Sequence, residues 1–128
     1  MNNTSEFILG LDGGGTKTLA RLINLTTEMQ WQVSAGASSL SNDYSQALAS
    51  VTDACRQLFA QASCQPEQVS TVFGLAGAGD KQLIAKLERD LPFDFADLQI
   101  VSDAKTSLYG ANAGQPVAVV ALGMVRKR

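Results

Sequence analysis

Three stretches of this chain combine residue types that can do chemistry. The first is Asp12-Gly13-Gly14-Gly15-Thr16-Lys17, within the string FILGLDGGGTKT. Glycines lack Cβ atoms, so their backbone N–H groups can come close to anionic oxygens. Thr16 adds a hydroxyl donor, and Lys17 can neutralise phosphate charge. Asp12 can hold a magnesium ion, through water as that ion usually prefers. A plain hairpin with positive φ angles also accounts for the glycines. It makes no use of Asp12, Thr16 or Lys17. The dinucleotide fingerprint does not fit, because the glycines are contiguous and a strand follows them, and a P-loop pattern is absent.

The second stretch is GLAGAGD, from Gly74 to Asp80, and the third is VSDAKTS around Asp103. Ala76-Gly77-Ala78-Gly79 reads either as a small-residue turn against a closely packed helix or as one wall of a cleft. Asp103 reads either as a helix N-cap or as a proton acceptor. A phosphate hairpin, a small-residue wall and a carboxylate along one edge are the equipment for phosphoryl transfer to a hydroxyl. In that chemistry the protein positions the groups and a carboxylate takes the hydroxyl proton.

Composition narrows the choice further. The chain has no histidine, which removes imidazole acid–base catalysis, Ser-His triads and most zinc sites. A formal charge of −2 gives no basic face, so nucleic acid is not an expected partner. With 45% apolar and 17% charged residues over 128 positions, the chain reads as one globular domain with a real core. No apolar run approaches the roughly 20 residues that span a bilayer, so no membrane partner is expected. The opening MNNTSEF lacks a positive region before an apolar one, so the cytoplasm is the expected compartment. The spacing of Cys55 and Cys64 puts them on nearly opposite sides of a helix, which predicts free thiols.

The elements that must position these residues follow from the hydrophobic pattern. Strands are predicted over 6–12, 18–25 and 29–35, joined by short links as an antiparallel meander. A polar loop over 36–43 ends in good N-cap residues. Leu48, Val51, Cys55, Leu58 and Phe59 then recur at helical spacing, predicting a helix over 44–62. A strand over 69–75, a loop over 76–80 and a helix over 83–91, stopped before Pro92, come next. A strand over 98–102, a helix over 104–111 and a strand over 117–122 complete the order β-β-β-α-β-α-β-α-β. Strands that follow crossover helices are expected to be parallel, and ligands collect at the carboxyl ends of such strands.

These motifs give the chain a family likeness. It resembles the N-terminal domain of the BadF/BadG/BcrA/BcrD ATPase family, and within it the bacterial glucosamine and N-acetylglucosamine kinases. The likeness rests on a strand followed by Asp12 to Lys17, on Gly74 to Ala78, and on Asp103-Ala104 with Gly110-Ala111. It implies an α/β fold of the ribonuclease H-like, actin-like ATPase type, with a mixed central sheet. It implies ATP and magnesium at Asp12, Gly13, Gly14, Gly15, Thr16 and Lys17. Asp103 corresponds to the base that deprotonates the sugar 6-hydroxyl. Ser38, Ser39, Gly77 and Asp103 correspond to contacts with an amino sugar, although the family often has an asparagine where Ser39 stands. A homodimer is the state implied for the full-length enzyme.

After VAVVALG the family continues into a second phosphate loop, where this chain reads Met124-Val125-Arg126-Lys127-Arg128. The resemblance therefore implies an N-terminal domain over 1–116, and over 117–128 the first strand of a second domain with an atypical tail. A truncated chain, inactive alone, is the expectation, with its last strand packing back or driving self-association. The competing readings are a non-catalytic remnant or sugar- or nucleotide-binding module, a ROK-type sugar kinase, and a dehydratase-activator ATPase.

Overall fold

The computed structural model describes residues 6–102. Its centre is a five-stranded sheet of order β3-β2-β1-β4-β5, with β1 at Phe7–Gly13, β2 at Thr18–Asn24, β3 at Gln30–Ala35, β4 at Val69–Leu75 and β5 at Asp97–Val101. β1, β2 and β3 pair antiparallel, while β4 runs parallel to both β1 and β5. The meander and the parallel pairs are those the sequence predicts. The helix at 104–111, the strand at 117–122 and Asp103 lie outside the described residues.

Two helices connect the parallel strands: α1 at Tyr44–Ala62 between β3 and β4, and α2 at Lys81–Asp90 between β4 and β5. The steps from β3 to β4 and from β4 to β5 go in the same direction along the sheet. Right-handed crossovers then put both helices on one face. The core shows this arrangement. Val51, Ala54, Leu58 and Phe59 of α1 and Leu87 of α2 join one cluster with Leu9, Leu11, Leu22, Phe73 and Leu75. The register aligns the inward residues in rows: Leu9 with Leu22 and Thr71, Leu11 with Ala20 and Phe73, Gly13 with Thr18 and Leu75. Each fully buried leucine in these rows stabilises the fold by about 1.5–3 kcal/mol. Ile8, Ile23 and Val72 alternate to the other face of the sheet and are buried too.

Local chemistry fixes the ends of the elements. β2 stops at Asn24, one residue before expected, because the Asn24 side chain accepts from the N–H groups of Thr26 and Thr27 and starts the turn. Asp43 caps α1 by accepting from Gln46 N. At its other end Ser63 closes the helix in the left-handed region at φ 55°, ψ 46°, where glycine is the usual choice. α2 begins two residues before the first leucine of its apolar pattern. The Asp80 carboxylate accepts from Gln82 N and Leu83 N and so draws Lys81 and Gln82 into the helix. Phe59, Phe73, Phe93 and Phe95 meet edge to face, which pins the link between α2 and β5 onto α1.

Candidate functional site

The carboxyl ends of β1 and β4 lie side by side, and the chemistry-bearing residues collect there. β1 delivers Asp12 to the face away from the helices, with its side chain exposed and glycine 74 as its neighbour on β4. β5 ends beside Gly74 in turn, at Val101. Asp103 follows β5 in the chain and lies outside the described residues.

The turn that follows β1 is closed by a bond from Gly14 N–H to Lys17 O of 3.1 Å. Its tip is Gly15 and Thr16, both exposed, as is Lys17. The positive φ angles expected of this hairpin are not there. The described glycine in the left-handed region is Gly77, at φ 88°. The glycines of the hairpin have other reasons. A Cβ on Gly13 would lie 1.7 Å from Ser38 Oγ, so Gly13 is required by packing. A Cβ on Gly14 would meet nothing within 4 Å, and one on Gly15 only Asn42 Nδ2 at 3.8 Å. Neither packing nor backbone angle demands glycine at those two positions. Among the described residues, the amides of Gly15, Thr16 and Lys17 donate to no protein acceptor, and Asp12 and Lys17 form no ion pair.

Two further loops are laced to this hairpin. Ala76 N–H donates to Gly13 O at 3.0 Å, Ser38 N–H to Gly14 O at 2.9 Å, and Leu40 N–H to Ala76 O at 2.8 Å. The small residues at 76–79 allow this approach. A Cβ on Gly77 would come within 2.6 Å of Ser41 N, and its positive φ separately disfavours any side chain. Ser38 and Ser39 are buried, with Ser38 Oγ 2.6 Å from Thr18 Oγ1 and Ser39 Oγ accepting from Asn42 N at 3.4 Å. The side chains that this loop leaves exposed are Ser41, Asn42 and the helix-capping Asp43.

The cysteines stand apart from the site. Cys55 faces the core from the middle of α1, and Cys64 lies just past the helix rather than on it; both are free. Burial pushes the Cys55 thiol far up and that of Cys64 to about 11. No described helix is long and apolar enough to cross a membrane. No group of three or more His, Cys, Asp or Glu among the described residues could hold a metal ion. A magnesium ion needs no such cage, because it keeps most of its water and takes one or two carboxylates plus substrate phosphates. The donor set at the hairpin fits a phosphate group, and Asp12 fits the ion that accompanies one.

Sheet order, crossover direction and the glycine hairpin define an α/β domain of the actin-like ATPase type. The chain belongs to the BadF/BadG/BcrA/BcrD ATPase family, which it matches over residues 9–126. It is 30% identical over 122 residues to the glucosamine kinase GspK of Vibrio cholerae serotype O1, covering 92% of this chain and 41% of that protein. A solved Chromobacterium violaceum structure, described as a candidate N-acetylglucosamine kinase, superposes with a TM-score of 0.69 at 29% identity. It covers 88% of this chain and 40% of that one. A reductive activator for a corrinoid, iron–sulfur protein shares the fold at a TM-score of 0.54 and 13% identity, covering 90% of this chain and 27% of that one. The chain thus spans about two-fifths of the length of its sugar-kinase relatives.

The sequence brought the hairpin and the 76–80 loop to one edge correctly. It missed Thr18, which is buried beneath the hairpin and donates to Gly36 O at 2.6 Å. Strand alternation held the signal: Thr18 takes an inward position in line with Ala20 and Leu22, where a polar residue must find a partner.

Proposed function

We propose that this chain forms the phosphate-binding portion of an ATP-dependent hexosamine kinase. The reaction is transfer of the γ-phosphoryl group of ATP to the 6-hydroxyl of glucosamine or N-acetylglucosamine. The observation that carries this reading is the hairpin tip. Gly14 and Gly15 are glycines without a packing or conformational need, and among the described residues the amides of Gly15, Thr16 and Lys17 have no protein acceptor. An anionic oxygen uses both features. The kinase relatives support the choice of phosphate and of an amino sugar.

In this reading Gly15, Thr16 and Lys17 cradle the phosphates by their amides, Thr16 adds its hydroxyl, and Lys17 supplies a positive charge. Asp12 holds water around a magnesium ion, which when bound offsets the negative charge of the phosphates. Asp103 accepts the proton of the sugar 6-hydroxyl as that oxygen bonds to phosphorus and ADP leaves with the bridging oxygen. The loop at 36–42 and Gly77 form the sugar side. Ser38 and Ser39 shape it from beneath, and Ser41 and Asn42 are the side chains it offers. Closure of a second domain over such a cleft excludes water, so the 128-residue chain alone is expected to bind without turnover.

Two measurements test this. Mg·ATP is titrated into the labelled chain while the amide signals of Gly14 to Lys17 are followed. A fusion of residues 1–116 to the C-terminal part of the Vibrio kinase is then assayed for ADP release with a hexosamine panel. Shifts confined to the hairpin, and turnover that Asp103→Asn lowers by roughly 10²–10⁴-fold, support the proposal. A hairpin indifferent to Mg·ATP sinks the phosphate reading. Binding with a silent fusion leaves a nucleotide-binding module in its place.

A further inference from the structure

Ser38 touches the hairpin in three ways. Its N–H donates to Gly14 O at the entry of the turn, at 2.9 Å. Its hydroxyl meets Thr18 Oγ1 at the exit of the turn, at 2.6 Å. Its Oγ also fills the space that a Cβ on Gly13 would need. Thr18 has one hydroxyl proton, and it goes to Gly36 O at 2.6 Å. In the Thr18–Ser38 pair, therefore, Ser38 donates. One buried serine thus ties both ends of the turn to the loop between β3 and α1. By contrast, the turn's own closure is the single bond from Gly14 N–H to Lys17 O.

We propose that Ser38 is a positioning residue that fixes the tilt of the turn Gly14–Lys17, so that the tip amides converge on one phosphate group. The assignment rests on the phosphate reading above. An exposed turn with one internal bond samples several geometries, and a binding site built on it loses affinity for each one it must abandon. A hydroxyl of serine's size suits the place. Alanine keeps the backbone bond and loses the donor, while threonine adds a methyl where Ser38 already crowds Gly13. Position 38 is buried, so it acts on the ligand only through the hairpin.

The test uses the full 128-residue chain with Ser38→Ala, Thr18→Val and Thr18→Ser. Three quantities are read: the Kd for Mg·ATP, hydrogen exchange of the Gly14 amide, and exchange of the Val51 amide in α1 as a measure of global opening. Ser38→Ala is expected to speed Gly14 exchange and weaken Mg·ATP by up to about tenfold each, the factor of one net hydrogen bond, with Val51 unmoved. Thr18→Ser, which keeps the hydroxyl, restores what Thr18→Val loses. If Ser38→Ala leaves both Gly14 exchange and Kd unchanged, or moves Val51 as much as Gly14, the proposal is overturned. If the wild type binds no Mg·ATP, the phosphate reading fails by itself. Faster Gly14 exchange in Ser38→Ala then still supports Ser38 as the residue that fixes the hairpin, and unchanged exchange overturns that as well.

Discussion

Gly13 and Ser38 approach so closely that a methyl group on one would lie 1.7 Å from the hydroxyl oxygen of the other. One residue further on, Gly14 faces open space. The same amino acid therefore answers two different demands at adjacent positions. Gly13→Ala is expected to destabilise the fold by about 1–3 kcal/mol through overpacking, because the opposing loop is held by backbone bonds. Gly14→Ala is expected to leave stability within about 1 kcal/mol, since alanine also restricts the unfolded chain. It should nevertheless weaken Mg·ATP by placing a methyl in the proposed phosphate site. Urea unfolding and calorimetric titration of both variants check the contrast. Equal stability losses would refute it.

Thr71 is buried between Leu9 and the half-buried Leu98, and among the described residues its hydroxyl has no hydrogen-bond partner. A buried hydroxyl left unpaired costs about 1–3 kcal/mol against an apolar group of the same shape. Thr71→Val keeps the shape and removes the polar atom. It is expected to raise the urea midpoint without changing the slope of the transition. A lower midpoint would mean that the hydroxyl has a partner in solution.

Tyr44 joins the start of α1 to the end of α2 by donating to Asp90 Oδ2 at 2.8 Å, with Lys86 Nζ 4.3 Å from its ring centre. Desolvation first, then the bond to Asp90, pushes its phenol from 10.0 up to about 12. A group whose folded value is raised contributes stability that is complete below its unfolded value and is lost as pH climbs through the folded one. For Tyr44 that window runs from about pH 10 to about pH 12. Tyr44→Phe lacks this contribution at every pH. The stability gap between wild type and variant is therefore expected to be constant at pH 7–9 and to close above pH 10. Urea curves for the pair across that range decide it; a gap that stays open would refute the linkage.

Much of this molecule is legible in its sequence. Strand alternation and helical spacing depend on burial, and burial dominates the centres of β1, β4 and α1. The misplaced ends have local polar causes: Asn24 bends the chain early, and Asp80 starts α2 before its first leucine. The hairpin stands out in the sequence by its charged flanks, while the reason for each glycine is not readable there. A Gly-Gly-Gly run looks alike whether it meets a buried serine, empty space or a left-handed turn. What separates Gly13 from Gly14 is a loop that arrives from beyond β3. Ser38 and Ser39 correspond to ligand contacts through the family resemblance alone; both are buried, and the sequence does not say which serines of a polar loop face inward.

Ala76 gives its N–H to Gly13 and its carbonyl to Leu40, so one peptide neighbourhood completes both other loops. The meander of β1, β2 and β3 is local in sequence and can close quickly, but Ala76 belongs to a segment separated from it by the whole of α1. The order of assembly follows. A nascent chain that has released only the meander holds an untethered hairpin, and the loops lock together only after β4 has slid in beside β1. On the proposed phosphate reading, the site is therefore expected to be complete only late in folding, as a timing property of the connectivity.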